Sequence, residues 1–193
     1  MKKIGLTIAA LACVVLLCVG FYVVKNRDTA ENPQEDMTVV EKINAKNLEK
    51  DYPKTPRAVI KLYNQIITSY YKEDYTDKEF DGLIAQARML FDTELADNNA
   101  EDDYKSAVQE SIADYKKRGF KIRQTGVCDT DDVKYLTDDS NGDKLAYVTA
   151  SYFTEEGKKF DKTYQMYVLR QDENDNWKIL TFYKIQKDST EEE

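Results

Sequence analysis

Fourteen tyrosines, 36 Asp plus Glu and not one histidine define the chemistry open to this chain of 193 residues. Without imidazole, Ser-His-Asp and Cys-His catalysis, the usual zinc sites and haem-His ligation are excluded. A carboxylate base with a tyrosine donor remains, because an Asp can abstract a proton and a phenol hydroxyl can steady an oxyanion. Dozens of such pairs exist, and no motif selects one. No catalytic residue is therefore assigned, and the tyrosines read as rim and core aromatics.

Two oxygen-rich segments look like calcium loops: Asp138-Asp139-Ser140-Asn141-Gly142-Asp143 and Asp172-Glu173-Asn174-Asp175-Asn176. An EF-hand loop needs Gly at its sixth position and Glu at its twelfth. With Gly142 sixth, the twelfth residue is Val148; with Asp172 first, the sixth and twelfth are Trp177 and Tyr183. Both fail, so these are strand connections rich in Asn, Asp and Gly, and no metal or cofactor is expected. The thiols add little. Cys13 and Cys18 sit in an apolar run, while Cys128 lies beside Asp129, whose negative charge disfavours the thiolate.

The elements that must position these groups begin with Ile4–Val24, an uncharged stretch of 21 residues that spans about 30 Å as a helix, the thickness of the bilayer core. Lys2 and Lys3 precede it. Ala10-Leu11-Ala12 resembles a signal-peptidase site, but it lies mid-run, so an uncleaved signal anchor is expected. The basic flank places the N-terminus inside and the remainder outside the cytoplasm. The first 27 residues hold four basic and no acidic side chains, leaving 24 basic and 36 acidic, a net −12, beyond them. Such a surface argues against nucleic acid as a partner. The expected layout is a cytoplasmic stub (1–3), a membrane anchor (4–24), a polar tether (25–52), an extracytoplasmic α+β domain (53–187) and an acidic tail (188–193).

Within the domain, Thr55-Pro56 is a helix start, with Thr55 as cap and Pro56 in the first turn. Val59, Ile60, Tyr63, Ile66, Ile67 and Tyr70 then keep helical spacing. A second helix, capped by Thr76 or Asp77, carries Phe80, Leu83, Ile84, Ala87, Leu90, Phe91 and Leu95. A third, about Ala100–Arg118, ends on basic residues and Gly119. A weak helix around Val39–Leu48 interrupts the tether. From Phe120 the period becomes two. Short strands are expected over Phe120–Gly126 and Asp132–Leu136, then a meander of Leu145–Phe153, Lys159–Arg170 and Trp177–Ile185. Its strands are apolar on parts of both faces, so the sheet should curl around the helices.

This order, helices followed by an antiparallel sheet that closes with Tyr164-Gln165-Met166-Tyr167-Val168-Leu169 and Trp177-Lys178-Ile179-Leu180-Thr181-Phe182-Tyr183, resembles the nuclear transport factor 2-like, or cystatin-like, superfamily. The layout as a whole also resembles a family of uncharacterised single-span bacterial membrane proteins. The resemblance implies three helices packed on a curved, cone-like sheet, with Tyr63, Tyr70, Tyr147, Tyr164, Trp177 and Tyr183 as candidate pocket aromatics. Its function is expected to be that of a non-catalytic binding or assembly module of the cell envelope, partnered by the lipid bilayer through residues 4–24 and by an envelope protein. The alternatives are capture of a small apolar ligand in the cone and, third, a His-free isomerase- or dehydratase-like enzyme.

Overall fold

The computed structural model describes residues 37–72 and 74–186. The expected anchor at 4–24, with its two cysteines, the stub and the tail at 188–193 lie outside them. No helix among the described residues is long and apolar enough to cross a membrane.

The chain forms an α+β domain with helices packed on a five-stranded antiparallel sheet. Its compact unit begins at Thr38, inside the segment expected as tether. Helix α1 (Val39–Asn44) opens with a capping box between Thr38 and Glu41. Val40, Ile43, Leu48 and Tyr52 are all buried. The short apolar patch is thus a docking strip. Gly82 explains how closely it docks: a Cβ there would come within 2.7 Å of the Asn44 side chain, whose Nδ2 donates to the Glu79 carbonyl at 2.9 Å.

Helix α2 (Pro56–Tyr70) starts as its sequence directs, with the Thr55 side chain accepting from the Ala58 N–H and Pro56 in the first turn. Its buried stripe includes Val59, Ile60, Tyr63, Ile66 and Tyr70. Each such apolar side chain contributes roughly 1.5–3 kcal/mol on leaving water. Helix α3 (Asp77–Met89) has its own capping box from Thr76 and Glu79.

The single helix expected from Thr76 to Leu95 is divided. After Met89 the backbone turns to the sheet: the Leu90 carbonyl accepts from Ile179 N–H, and Asp92 N–H donates to the Ile179 carbonyl, both at 2.8 Å. Asp92 then caps a short helix, α4 (Thr93–Asp97). Helical periodicity continued through this break because Leu90 and Phe91 are buried either way. Helix α5 (Glu101–Arg118) ends at Gly119, whose φ of 64° is the left-handed value that glycine accepts freely. It buries no residue fully; Tyr104, Val108 and Ile112 rest half-buried against the core.

Strands β1 (Phe120–Val127) and β2 (Lys134–Thr137) lie end to end along one edge of β3 (Lys144–Glu156), joined by a 3-10 turn at Thr130–Asp132. On the other edge follow β4 (Lys159–Gln171) and β5 (Trp177–Ile185), the expected meander. Irregularities at Ile122/Gln124 and Val168/Leu169 interrupt the ladders. Bulges of this kind bend and twist a sheet. Even-numbered β3 residues Ala146, Val148, Ala150, Tyr152 and Thr154 are buried under the helices; odd-numbered ones face away.

The two acidic connections fold on themselves. Asp138 Oδ1 accepts the Ser140 N–H at 2.9 Å, and Asp172 Oδ1 accepts those of Asn174 at 2.9 Å and Asn176 at 2.8 Å. Among the described residues no group of three acidic or thiol side chains is arranged to hold a metal ion.

Candidate functional site

Antiparallel partners point to the same side of a sheet, so register alone orders the helix-facing side into rungs. From base to rim they are Ala146–Leu169–Ile179, Val148–Tyr167–Phe182, Ala150–Gln165–Lys184, Tyr152–Thr163, Thr154–Asp161 and Glu156–Lys159. The series runs from aliphatic through aromatic and amide to charged. Toward its polar end the helices and sheet separate into a cleft.

The inner chamber has a volume of about 230 Å³. Tyr63 and Ile67 of α2, its C-terminal cap residue Tyr71 and Tyr115 of α5 form one wall; Phe120 and Ile122 of β1 form a side; Tyr152, Thr154, Thr163, Gln165, Tyr167 and Phe182 form the floor. None of these lining residues is an Asp, Glu, Lys or Arg. The aromatic rings brace one another, with Tyr71 and Tyr115 stacked at 4.5 Å and Tyr63 edge-on to Tyr167 at 5.9 Å. Tyr115 is held in place through Tyr71, whose hydroxyl lies 3.1 Å from Ser111 Oγ.

A polar chain runs under the chamber. Tyr152 Oη lies 2.6 Å from Asn64 Oδ1 and 2.6 Å from Tyr167 Oη, which reaches Gln165 Oε1 at 2.8 Å. Three contacts need three protons, and two phenols hold two. Turning the Asn64 amide end for end supplies the third from Nδ2, otherwise buried with no partner. The phenols stay protonated. Burial pushes Tyr152 up to about 12, opposed by its bond to Tyr167. Burial foremost, then neighbouring tyrosines, lifts Tyr63 and Tyr167 far above the ordinary phenol value. These hydroxyls can donate hydrogen bonds but cannot serve as bases near neutral pH.

The chamber opens into an outer groove of about 550 Å³, sharing Tyr115, Phe120, Thr154, Thr163 and Gln165 with it. The groove adds Arg118, Lys159 and Lys184 against Glu156 and Asp161. Arg118 forks onto Glu156 at 2.8 and 2.7 Å, which holds that carboxyl below its usual range.

The five tyrosines and one tryptophan singled out from sequence fall in four places. Tyr63 lines the chamber. Tyr70 is buried behind it, edge-on to Phe80 at 5.8 Å. Tyr147, Tyr164 and Tyr183 lie on the opposite face of the sheet, as their pairing with Val168, Ser151 and Met166 requires. Trp177 is half-buried at the far end of the core, edge-on to Tyr135 at 5.7 Å. Tyr71, Tyr115, Tyr152, Tyr167 and Gln165 complete the site. For Tyr152 and Tyr167 the signal was their phase with Ala146, Val148, Ala150 and Leu169, the small and aliphatic side chains of the strands.

Cleft and rungs together give an α+β scaffold with an uncharged interior and a charged mouth. The chain belongs to the family described as a domain of unknown function, DUF6715, whose model matches residues 1–182. No curated protein matches it.

Proposed function

We propose that this protein is a non-catalytic binding module of the bacterial cell envelope, with the cleft as its binding site. In this reading residues 4–24 anchor the chain in the membrane with the N-terminus inside, the domain stands outside the cytoplasm, and the sheet forms a cone of the nuclear transport factor 2-like kind. The observation that carries it is the inner chamber: aromatic, free of Asp, Glu, Lys and Arg, and floored by tyrosines that burial keeps protonated. Proton abstraction in a cone needs a base inside it. Here the carboxylates that line the cleft, Glu156 and Asp161, stand at the mouth.

A second reading, assembly with an envelope protein, has its own observation. Phe153 and Phe160 stack at 5.7 Å with planes 8° apart at the β3–β4 tip, yet are 40% and 61% exposed. Exposed aromatics of this kind mark contact surfaces.

The test is complementation of a deletion strain. Filling the chamber by Thr163→Trp should abolish function, Tyr152→Phe and Tyr167→Phe should each retain it, and a secreted chain starting at Thr38 should fail for want of the anchor. A folded Tyr→Phe variant that still binds ligand but has no function would instead point to an enzyme. Function lost on Phe153→Ser but kept on Thr163→Trp would move the task to the sheet tip.

A further inference from the structure

We propose that the cleft takes a small anionic amphiphile, with a ring-sized apolar body in the inner chamber and a carboxylate or phosphate head at Lys184. This rests on the cleft being the binding site and adds what it binds.

Size comes first. An engineered apolar cavity of about 150 Å³ accepts benzene. A chamber of about 230 Å³ therefore suits one ring with a short substituent, and is too small for a long acyl chain. Beneath it Val148, Leu169 and Ile179, all buried, close the way to the base. Tyr63, Tyr71 and Phe182 offer ring faces and edges, which favours a flat body.

Charge comes second. The groove holds three cations against two carboxylates in a chain of net charge −8. Glu156 is engaged by Arg118 in a two-point contact and also faces Lys159 across the hairpin. Asp161 turns its Oδ1 onto the Lys162 N–H at 2.8 Å. Lys184 is exposed, and no carboxylate lies within ion-pairing distance of it among the described residues. Its register partner is Gln165, which lines both chamber and groove. An ammonium at the junction of an uncharged chamber and a wet groove suits a ligand that is apolar at one end and anionic at the other.

The experiment uses the full chain in phosphatidylcholine nanodiscs, with empty nanodiscs as reference, and calorimetric titration of 3-phenylpropionate, 2-phenylethyl phosphate and 3-phenylpropan-1-ol. At least one anion should bind about tenfold more tightly than the alcohol, and Lys184→Gln should reduce that preference to about twofold or less. The tighter anion identifies the head group. Ile67→Trp, or Thr163→Phe if the first variant melts early, should abolish binding of all three. Alcohol and anions binding equally, or a preference that survives Lys184→Gln, overturns the anionic ligand and leaves the cleft reading intact. No binding of any of the three overturns both.

Discussion

Arg170 clasps Asp92 across 78 positions of chain, with Nη2 at 2.5 Å from Oδ1 and Nε at 3.0 Å from Oδ2. The Asp92 side chain is only 8% exposed, and its Oδ1 also accepts the Glu94 N–H that starts α4. The guanidinium's remaining reach goes to Glu94 at 3.1 Å and Asp143 at 3.2 Å. One side chain thus ties β4 to the α3–α4 link and to the β2–β3 turn.

Removing it should therefore be costly. Arg170→Ala leaves Asp92 nearly buried without its partner, a loss of about 3 kcal/mol. Arg170→Lys should recover only part, because an ammonium cannot form the planar fork. Urea unfolding followed through Trp177, the sole tryptophan, measures both. Stability within about 0.5 kcal/mol of wild type for Arg170→Ala would show the clasp to be ornamental.

Docking of α1 makes a second expectation. A chain starting at Thr38 should be more stable than one starting at Pro53 by at least about 3 kcal/mol, since the shorter chain bares the surface that Val40, Ile43 and Leu48 cover. Gly82→Ala in the longer chain should also destabilise it, although alanine is the better helix former, because the new methyl meets Asn44. Equal melting temperatures for the two truncated chains would contradict the first part, and a higher one for Gly82→Ala the second.

The buried phenols give a pH window. Tyr152 titrates near 10 in the unfolded chain and is pushed up to about 12 when folded. A raised pKa means that its contribution is fully present below pH 10 and is lost as pH rises toward about 12. Tyr63, Tyr70, Tyr104 and Tyr167 are shifted upward too, chiefly by burial, and act in the same sense. Urea midpoints should hold steady from neutrality to pH 9 and then fall. A midpoint that rises above pH 10 would mean the phenols ionise inside the fold.

Cys128 should be a poor nucleophile. Burial raises its thiol first, with Asp132 and Asp129 adding to the effect against the opposing Thr149 backbone contact and Arg57. Iodoacetamide at neutral pH should label it more slowly than a free thiol in the urea-unfolded chain. Faster labelling in the folded chain would reopen a role for it.

Much of this architecture was legible in short signals. Thr55-Pro56 and Gly119 mark helix ends because a cap hydroxyl, a preset φ and a left-handed turn are local requirements. The meander shows in its period of two. What stayed hidden depends on partners far along the chain. Leu90 and Phe91 continue a helical stripe, and only pairing with Ile179 ends it. Two periodic faces were visible in β3, but which one meets the helices is decided by the flush fit of Ala146, Val148 and Ala150 beneath α2. Tyr147, Tyr164 and Tyr183 consequently lie outside the cleft, whereas Tyr152 and Tyr167 lie within it. The tether's Val39–Val40 patch is too short to declare itself without the Gly82 surface it meets.

The Phe91–Ile179 bridge also orders events in time. Strands β3, β4 and β5 can zip through two adjacent hairpins with little chain to gather, whereas the bridge must close a long loop around them. Its two hydrogen bonds, at the Asp92 and Ile179 amides, should therefore form after the meander. In native-state hydrogen exchange these amides should open before those of central β3, through a partial unfolding that frees α3 and α4 while the sheet persists. The clasp that Arg170 places on Asp92 is then the latch on the part of the fold that should close last and open first.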